Sequence, residues 1–205
     1  MIIEFCAESH EHAVKAEKAG ADRIELCNDL HLDGLTPDYE SAKKTINTLN
    51  IPVFILIRPK KGDFVYSDEE FELMKQDIII FKEMGCKGIV SGVLNEDKTV
   101  DIERTKELVK LSRPLEFTFH RAFDIVSNPL VEIENLINIG IDRVLTSGQK
   151  NKAIEGLDLL RELRNKSKNR IKIMPGSGIN ESNIVNFKSF EEIHGSFKNE
   201  TNLKL

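Results

Sequence analysis

The sequence predicts a single α/β domain of the TIM (β/α)8 barrel class, and three observations predict it. Short apolar runs rich in β-branched residues alternate with amphipathic stretches from one end of the chain to the other. The spacing fits the roughly 25-residue unit of a strand and its following helix. A weak internal repeat, AGADRIELC, MGCKGIVSG and IGIDRVLTSG, reads each time as a helix end, a glycine, two residues and a strand. Eight such units with right-handed crossovers close most naturally into a barrel, with an open doubly wound sheet as the alternative.

Taken in order, strands are expected over residues 2–6, 23–27, 52–58, 88–92, 115–119, 143–147, 170–175 and 192–196. Helices are expected over residues 11–19, 38–49, 68–84, 102–111, 129–139, 152–166 and 181–187. Ser67 and Asp101 suit N-caps, because a short oxygen side chain accepts the free amides of a first turn, and Pro129 suits a first helical position. Gly20, Gly85 and Gly140 stand where a helix end turns left-handed. No Pro/Ser/Gly-rich linker interrupts the pattern, so residues 1–205 are expected to form one domain. Nine residues follow the last strand, so the barrel is expected to lack, or nearly lack, its final helix. The outer face near the first and last strands then needs cover, for which a homodimer or higher homo-oligomer is the simplest provision.

The chain has 205 residues, 40% hydrophobic and 31% charged, enough for one well-buried core. A net charge of -5 argues against a nucleic-acid or anionic-membrane partner, both of which want a basic face. The N-terminus MIIEFCAESH carries a glutamate at its fourth position, and no run of apolar residues is long enough to span a bilayer. The expectation is a cytoplasmic protein with three reduced cysteines.

In a parallel barrel, ligands bind where strands end. The stretch FTFHRAFD runs from a buried strand into His120, Arg121 and Asp124. His120 is the leading acid/base candidate, with Asp124 beside it and Arg121 better suited to fixing the loop. Arg58 leaves the third strand at its mouth, where a guanidinium can grip a carboxylate or phosphate, or else anchor a loop. On the first two strands IEFC and IELC match position for position, so that Glu4 aligns with Glu25 and Cys6 with Cys27, all four pointing inward. Arg23 and Arg143 share that phase and are the natural counter-ions, with Glu192 and Lys172 able to join a buried ionic layer. Glu25, nearer the rim, is the more available for function.

Ser147 and Gly148 end the sixth strand, Gly176, Ser177 and Gly178 follow the seventh, and Gly195 and Ser196 end the eighth. Glycine-rich loops at these places expose amides that can cradle a small anion such as phosphate. No Walker motif, dinucleotide fingerprint or paired-histidine metal spacing occurs, so no nucleotide cofactor is expected. Cys6 and Cys27, about 5 Å apart at sheet spacing, are able to share one soft ion such as Cu(I), or are simply small core residues. Zn(II) would be left short of donors by two thiols alone. Cys86, after a helix-ending glycine, reads as structural.

The motifs AGADRIELC, GLTPD, ILIRPKKGDFVYS, GIVSGVL, FTFHRAFD, RVLTSG, IMPGSGI and EEIHGS, spread over nearly the whole chain, together resemble the CutC family of copper-homeostasis proteins. The resemblance implies a TIM barrel, a cytoplasmic location, oligomers and a role in handling copper, with the family's paired thiols falling on Cys6 and Cys27. Asp33 and Gly34 stand where the family has two glycines. Two functions of different class therefore remain open. One is Cu(I) binding through Cys6 and Cys27. The other is a barrel enzyme acting on a small anionic, phosphorylated or sugar-acid substrate with Glu25, Arg58, His120 and Asp124.

Overall fold

The structure is a computed structural model, and it describes residues 1–196. Eight parallel strands form one sheet: β1 (Ile2–Ala7), β2 (Arg23–Leu26), β3 (Val53–Leu56), β4 (Gly88–Ser91), β5 (Glu116–Phe119), β6 (Arg143–Thr146), β7 (Lys172–Pro175) and β8 (Glu192–Ser196). Their order is β7-β6-β5-β4-β3-β2-β1-β8, and a parallel bridge between Gly176 and His194 brings the two ends together. The result is a nearly closed TIM barrel. Six α-helices pack outside it: α1 (His10–Lys18), α2 (Tyr39–Thr48), α3 (Asp68–Glu83), α4 (Ile102–Ser112), α5 (Pro129–Asn138) and α6 (Leu157–Ser167). The expectation about a helix after the last strand concerns residues outside those described.

Local chemistry sets most boundaries. Ser67 closes a full capping box with Glu70 at the start of α3, and Asp101 accepts the Arg104 amide at the start of α4. Gly20, Gly85 and Gly140 all have positive φ just after helix ends. Two helices differ from expectation. Residues 181–187 yield only a short 3-10 turn, Ile184–Phe187, because Asn180 and Asn183 bond to nearby amides and divert the backbone before a helix can start. α6 begins at Leu157 instead of near residue 152, since the Ala153 amide is taken by the Ser177 carbonyl across the loop.

Alternation along the strands builds two cores. Ile3, Phe5, Ile24, Leu26, Ile55, Ile89, Phe117, Val144 and Ile193 face the helices, while Cys6, Cys27, Phe54, Leu56 and Val90 form a separate cluster inside the barrel. Gly88 makes room for the inner ring of Phe54, since a Cβ there would lie 2.4 Å from it. The guanidiniums of Arg23 and Arg143 stand over that ring at 4.7 and 5.1 Å.

Candidate functional site

An ionic layer crosses the barrel interior. Arg23 Nε donates to Glu4 Oε2 at 2.5 Å and Arg23 Nη2 to Glu192. Arg143 Nε donates to the same Glu192 at 2.8 Å and its Nη2 to Glu116 at 2.5 Å, while Lys172 lies 3.0 Å from Glu192. Burial pushes Glu4 and Glu192 up, but Arg23 and His194 around Glu4, and Arg143 and Arg23 around Glu192, overcome it and hold both carboxyls at about 2. The inward phase expected for Glu4, Glu25, Arg23 and Arg143 is the phase found.

Above this layer lies a mixed polar cluster. His194 Nδ1 is 2.8 Å from Glu4 Oε1 and 3.4 Å from Glu25 Oε2. Burial, helped by the Glu4 charge, pushes Glu25 up to about 7 against the pull of His194 and Arg23. Burial alone would lower His194, yet its bond to Glu4 and the charges of Glu25 and Glu4 raise it above the ordinary histidine value. His194, within EEIHGS, is not among the residues that the sequence alone singles out. The available signal was its spacing of two from Glu192, which puts both on the inner face of β8.

The thiols meet in a way the aligned strands did not indicate. Cys6 is level with Glu25 across the β1–β2 ladder, and Glu4 with Arg23, so the two strands are staggered by two residues from the expected alignment. Barrel closure requires such a stagger. Cys6 Sγ and Cys27 Sγ still lie 3.2 Å apart, closer than sheet spacing suggests. The contact with Cys27 and burial push the Cys6 thiol well above its ordinary value. The donor set also exceeds two sulfurs, because Glu25 and His194 adjoin Cys6.

The rim residues are mostly tied to their own loops. Arg58 donates Nη1 to the carbonyls of Leu32 and Gly34 at 3.0 and 2.9 Å and Nη2 to Gly62 at 3.1 Å, with Nε buried and without a partner among the described residues. His120 is buried against Phe64, and burial with the nearby Arg58 charge lowers it to about 3, so it is neutral. Its Nδ1 accepts the Ala122 amide, and its Nε2 has no partner among the described residues. Asp124 accepts from Thr146 Oγ1 at 2.5 Å and from the amides of Ser147 and Gln149, while Arg121 pairs with it at 2.8 Å. Asp124, more than Arg121, is thus the residue that organises this loop. It also occupies the Ser147 amide, and Thr146 Oγ1 takes that of Gly148, so these two groups are engaged within the chain. Gly176 makes room chiefly for Leu145, whose Cδ1 would lie 2.5 Å from a Cβ there, and also for His194, whose Cβ would lie at 3.3 Å, and Ser177 turns its Oγ to the Asn151 carbonyl with φ +81°. Gly178 follows with positive φ against Lys152, Gly195 lies opposite Phe5, and Ser196 lies opposite Cys6.

Residues 1–199 match the model of the CutC family. The chain belongs to the CutC family. It is 47% identical over 183 residues to the copper homeostasis protein cutC homolog of Homo sapiens, covering 89% of this chain and 67% of that protein. It is 42% identical over 201 residues to a family protein CutC of Histophilus somni, covering 97% and 83%. Among solved structures, a copper homeostasis protein CutC from Streptococcus agalactiae superposes with a TM-score of 0.89 at 32% identity, covering 95% of this chain and 98% of that one. A phosphonopyruvate hydrolase structure matches with a TM-score of 0.67 at 14% identity over 97% of this chain and 76% of that one, a likeness of fold alone. Among the described residues no helix is long and apolar enough to cross a membrane.

Proposed function

We propose that this CutC-family chain serves copper homeostasis in the cytoplasm by binding Cu(I) between Cys6 and Cys27. The observation that carries this reading is the 3.2 Å separation of the two sulfurs inside the barrel. Cu(I) is soft and accepts two thiolates in a near-linear arrangement. With metal–sulfur bonds near 2.3 Å, a near-linear arrangement puts the sulfurs roughly 4.5 Å apart, so seating the ion asks each thiol to move by about 0.7 Å. The raised Cys6 thiol means that loading the ion must expel protons. The test is an anaerobic, reduced Cu(I) titration against a colorimetric chelator. Undiminished binding by a Cys6→Ser, Cys27→Ser double variant would sink the reading.

A second reading is favoured by Glu25, whose carboxyl at about 7 is poised to exchange a proton near neutral pH. In it the barrel is an enzyme for a small anionic substrate, with Glu25, Arg58, His120 and Asp124 at the rim and the amides of residues 176–178 and 195–196 holding the anion, Ser147 and Gly148 lining the approach. A thermal-shift screen against phosphorylated metabolites and sugar acids tests it. A hit that survives loss of both thiols and disappears in His120→Ala supports the enzyme, and no stabilising ligand would count against it. Under either reading we propose that the chain self-associates to cover the outer face near β1 and β8, where Ile2 and Val185 are exposed. A monomer by light scattering at micromolar protein would refute that assembly.

A further inference from the structure

The copper reading leaves two groups beside Cys6 without a task. Glu25 and His194 are both buried, and among the described residues the one ion-pair partner within reach of Glu25 is His194. Cys6 Sγ, a carboxylate oxygen of Glu25 and a ring nitrogen of His194 all lie within 4.8 Å of one another, contributed by three neighbouring strands, β1, β2 and β8. Arg23, the nearest strong cation, is committed to Glu4, Glu192 and the Met174 sulfur.

We propose that Cys6, Glu25 and His194 form a second cation site, for a borderline divalent ion such as Zn(II), which shares Cys6 with the thiol pair. One sulfur, one oxygen and one nitrogen are the donor types that Zn(II) accepts together, whereas Cu(I) has little use for a carboxylate. Three protein ligands leave the fourth tetrahedral position open, as in zinc sites that bind water or substrate. A thiolate and a carboxylate balance the double charge, while Glu4, already neutralised by Arg23, orients the imidazole by accepting from Nδ1 at 2.8 Å, so that Nε2 is the nitrogen left to take the ion. Donors around a tetrahedral ion stand roughly 3.3–3.8 Å apart, so side-chain rotations of up to about 1 Å close the site. Because both sites need Cys6, occupancy of one excludes the other. The divalent site does not depend on the copper reading and stands if that reading fails.

The test uses the full-length reduced protein under anaerobic conditions with Co(II) as a spectroscopic probe, followed by Zn(II) titration. Wild-type protein should give a sulfur-to-cobalt charge-transfer band, intense four-coordinate visible bands and a hyperfine-shifted imidazole N–H resonance, all abolished by stoichiometric Zn(II). The band should persist in Cys27→Ser and vanish in Cys6→Ser. Glu25→Gln and His194→Gln should each weaken Zn(II) by at least about tenfold in proteins whose circular dichroism is native. Absence of the charge-transfer band or the imidazole resonance from the wild type overturns the proposal whether or not the variants fold. So does loss of the band in folded Cys27→Ser, or undiminished Zn(II) binding in Glu25→Gln and His194→Gln.

Discussion

Cys6 faces Glu25 across the β1–β2 ladder, yet its sulfur lies 3.2 Å from that of Cys27, two residues further along. The stagger of the barrel puts a carboxylate level with one thiol while leaving both thiols in contact. The paired thiols and the buried carboxyl of Glu25 therefore share one patch of the interior.

The first expectation concerns the thiols. Cys6→Ser and Cys27→Ser should each remove most Cu(I) binding in a chelator competition, since a lone buried thiolate is a poor site. Cys86→Ser, buried before β4 and away from this pair, should leave binding unchanged. Affinity should fall about tenfold per pH unit for each proton the loaded thiols release.

Two buried groups give opposite pH slopes to stability. Glu25 has an ordinary value of 4.5 and a folded value of about 7, so the native state holds its proton more tightly and stability falls as pH rises through this range. His120 has an ordinary value of 6.5 and a folded value of about 3, so the unfolded chain protonates first and stability falls as pH drops below 6.5. Between about pH 4.5 and 6.5 the two oppose each other, each contributing roughly 1.4 kcal/mol per pH unit at most. In denaturant melts across that window, Glu25→Gln should lose stability on acidification more steeply than wild type, and His120→Gln should gain it. Parallel profiles for all three proteins would show that burial does not shift these groups.

Arg143 is fully buried between Glu192, Glu116 and the Phe54 ring. Arg143→Met leaves Glu192 with part of its charge uncompensated, and the expected cost is about 3–5 kcal/mol in urea unfolding. Adding Glu192→Gln should recover part of the loss. A single variant as stable as wild type would mean that the layer contributes nothing net.

Gly88 lies under the Phe54 ring on which both guanidiniums stack. Gly88→Ala should displace the ring and destabilise the protein by about 1–3 kcal/mol, measured by thermal or urea unfolding. Gly20→Ala, with no neighbour within 4 Å but a φ of +94°, should be destabilising through backbone strain alone.

Much of this was legible in the chain. Ser67, Asp101, Pro129 and the helix-ending glycines announce their roles because capping is settled within a few residues. The site was less legible where local bonds competed with a pattern. Arg58 reads equally as an anion grip or a loop anchor until its bonds to Leu32, Gly34 and Gly62 are known, and Asp124 looks like a partner for His120 until it is found on the Ser147 and Gln149 amides.

Barrel class, the inward phase of Glu4, Glu25, Arg23 and Cys6, and family membership are all written in the chain. Each follows from period-two alternation or from motifs contiguous in the chain. Tertiary structure alone decided that Cys6 stands level with Glu25 and that His194, 190 residues from Glu4, joins them. The stagger between neighbouring strands and the meeting of β8 with β1 are set by closure of the whole barrel, a condition on all eight strands at once that no single segment encodes.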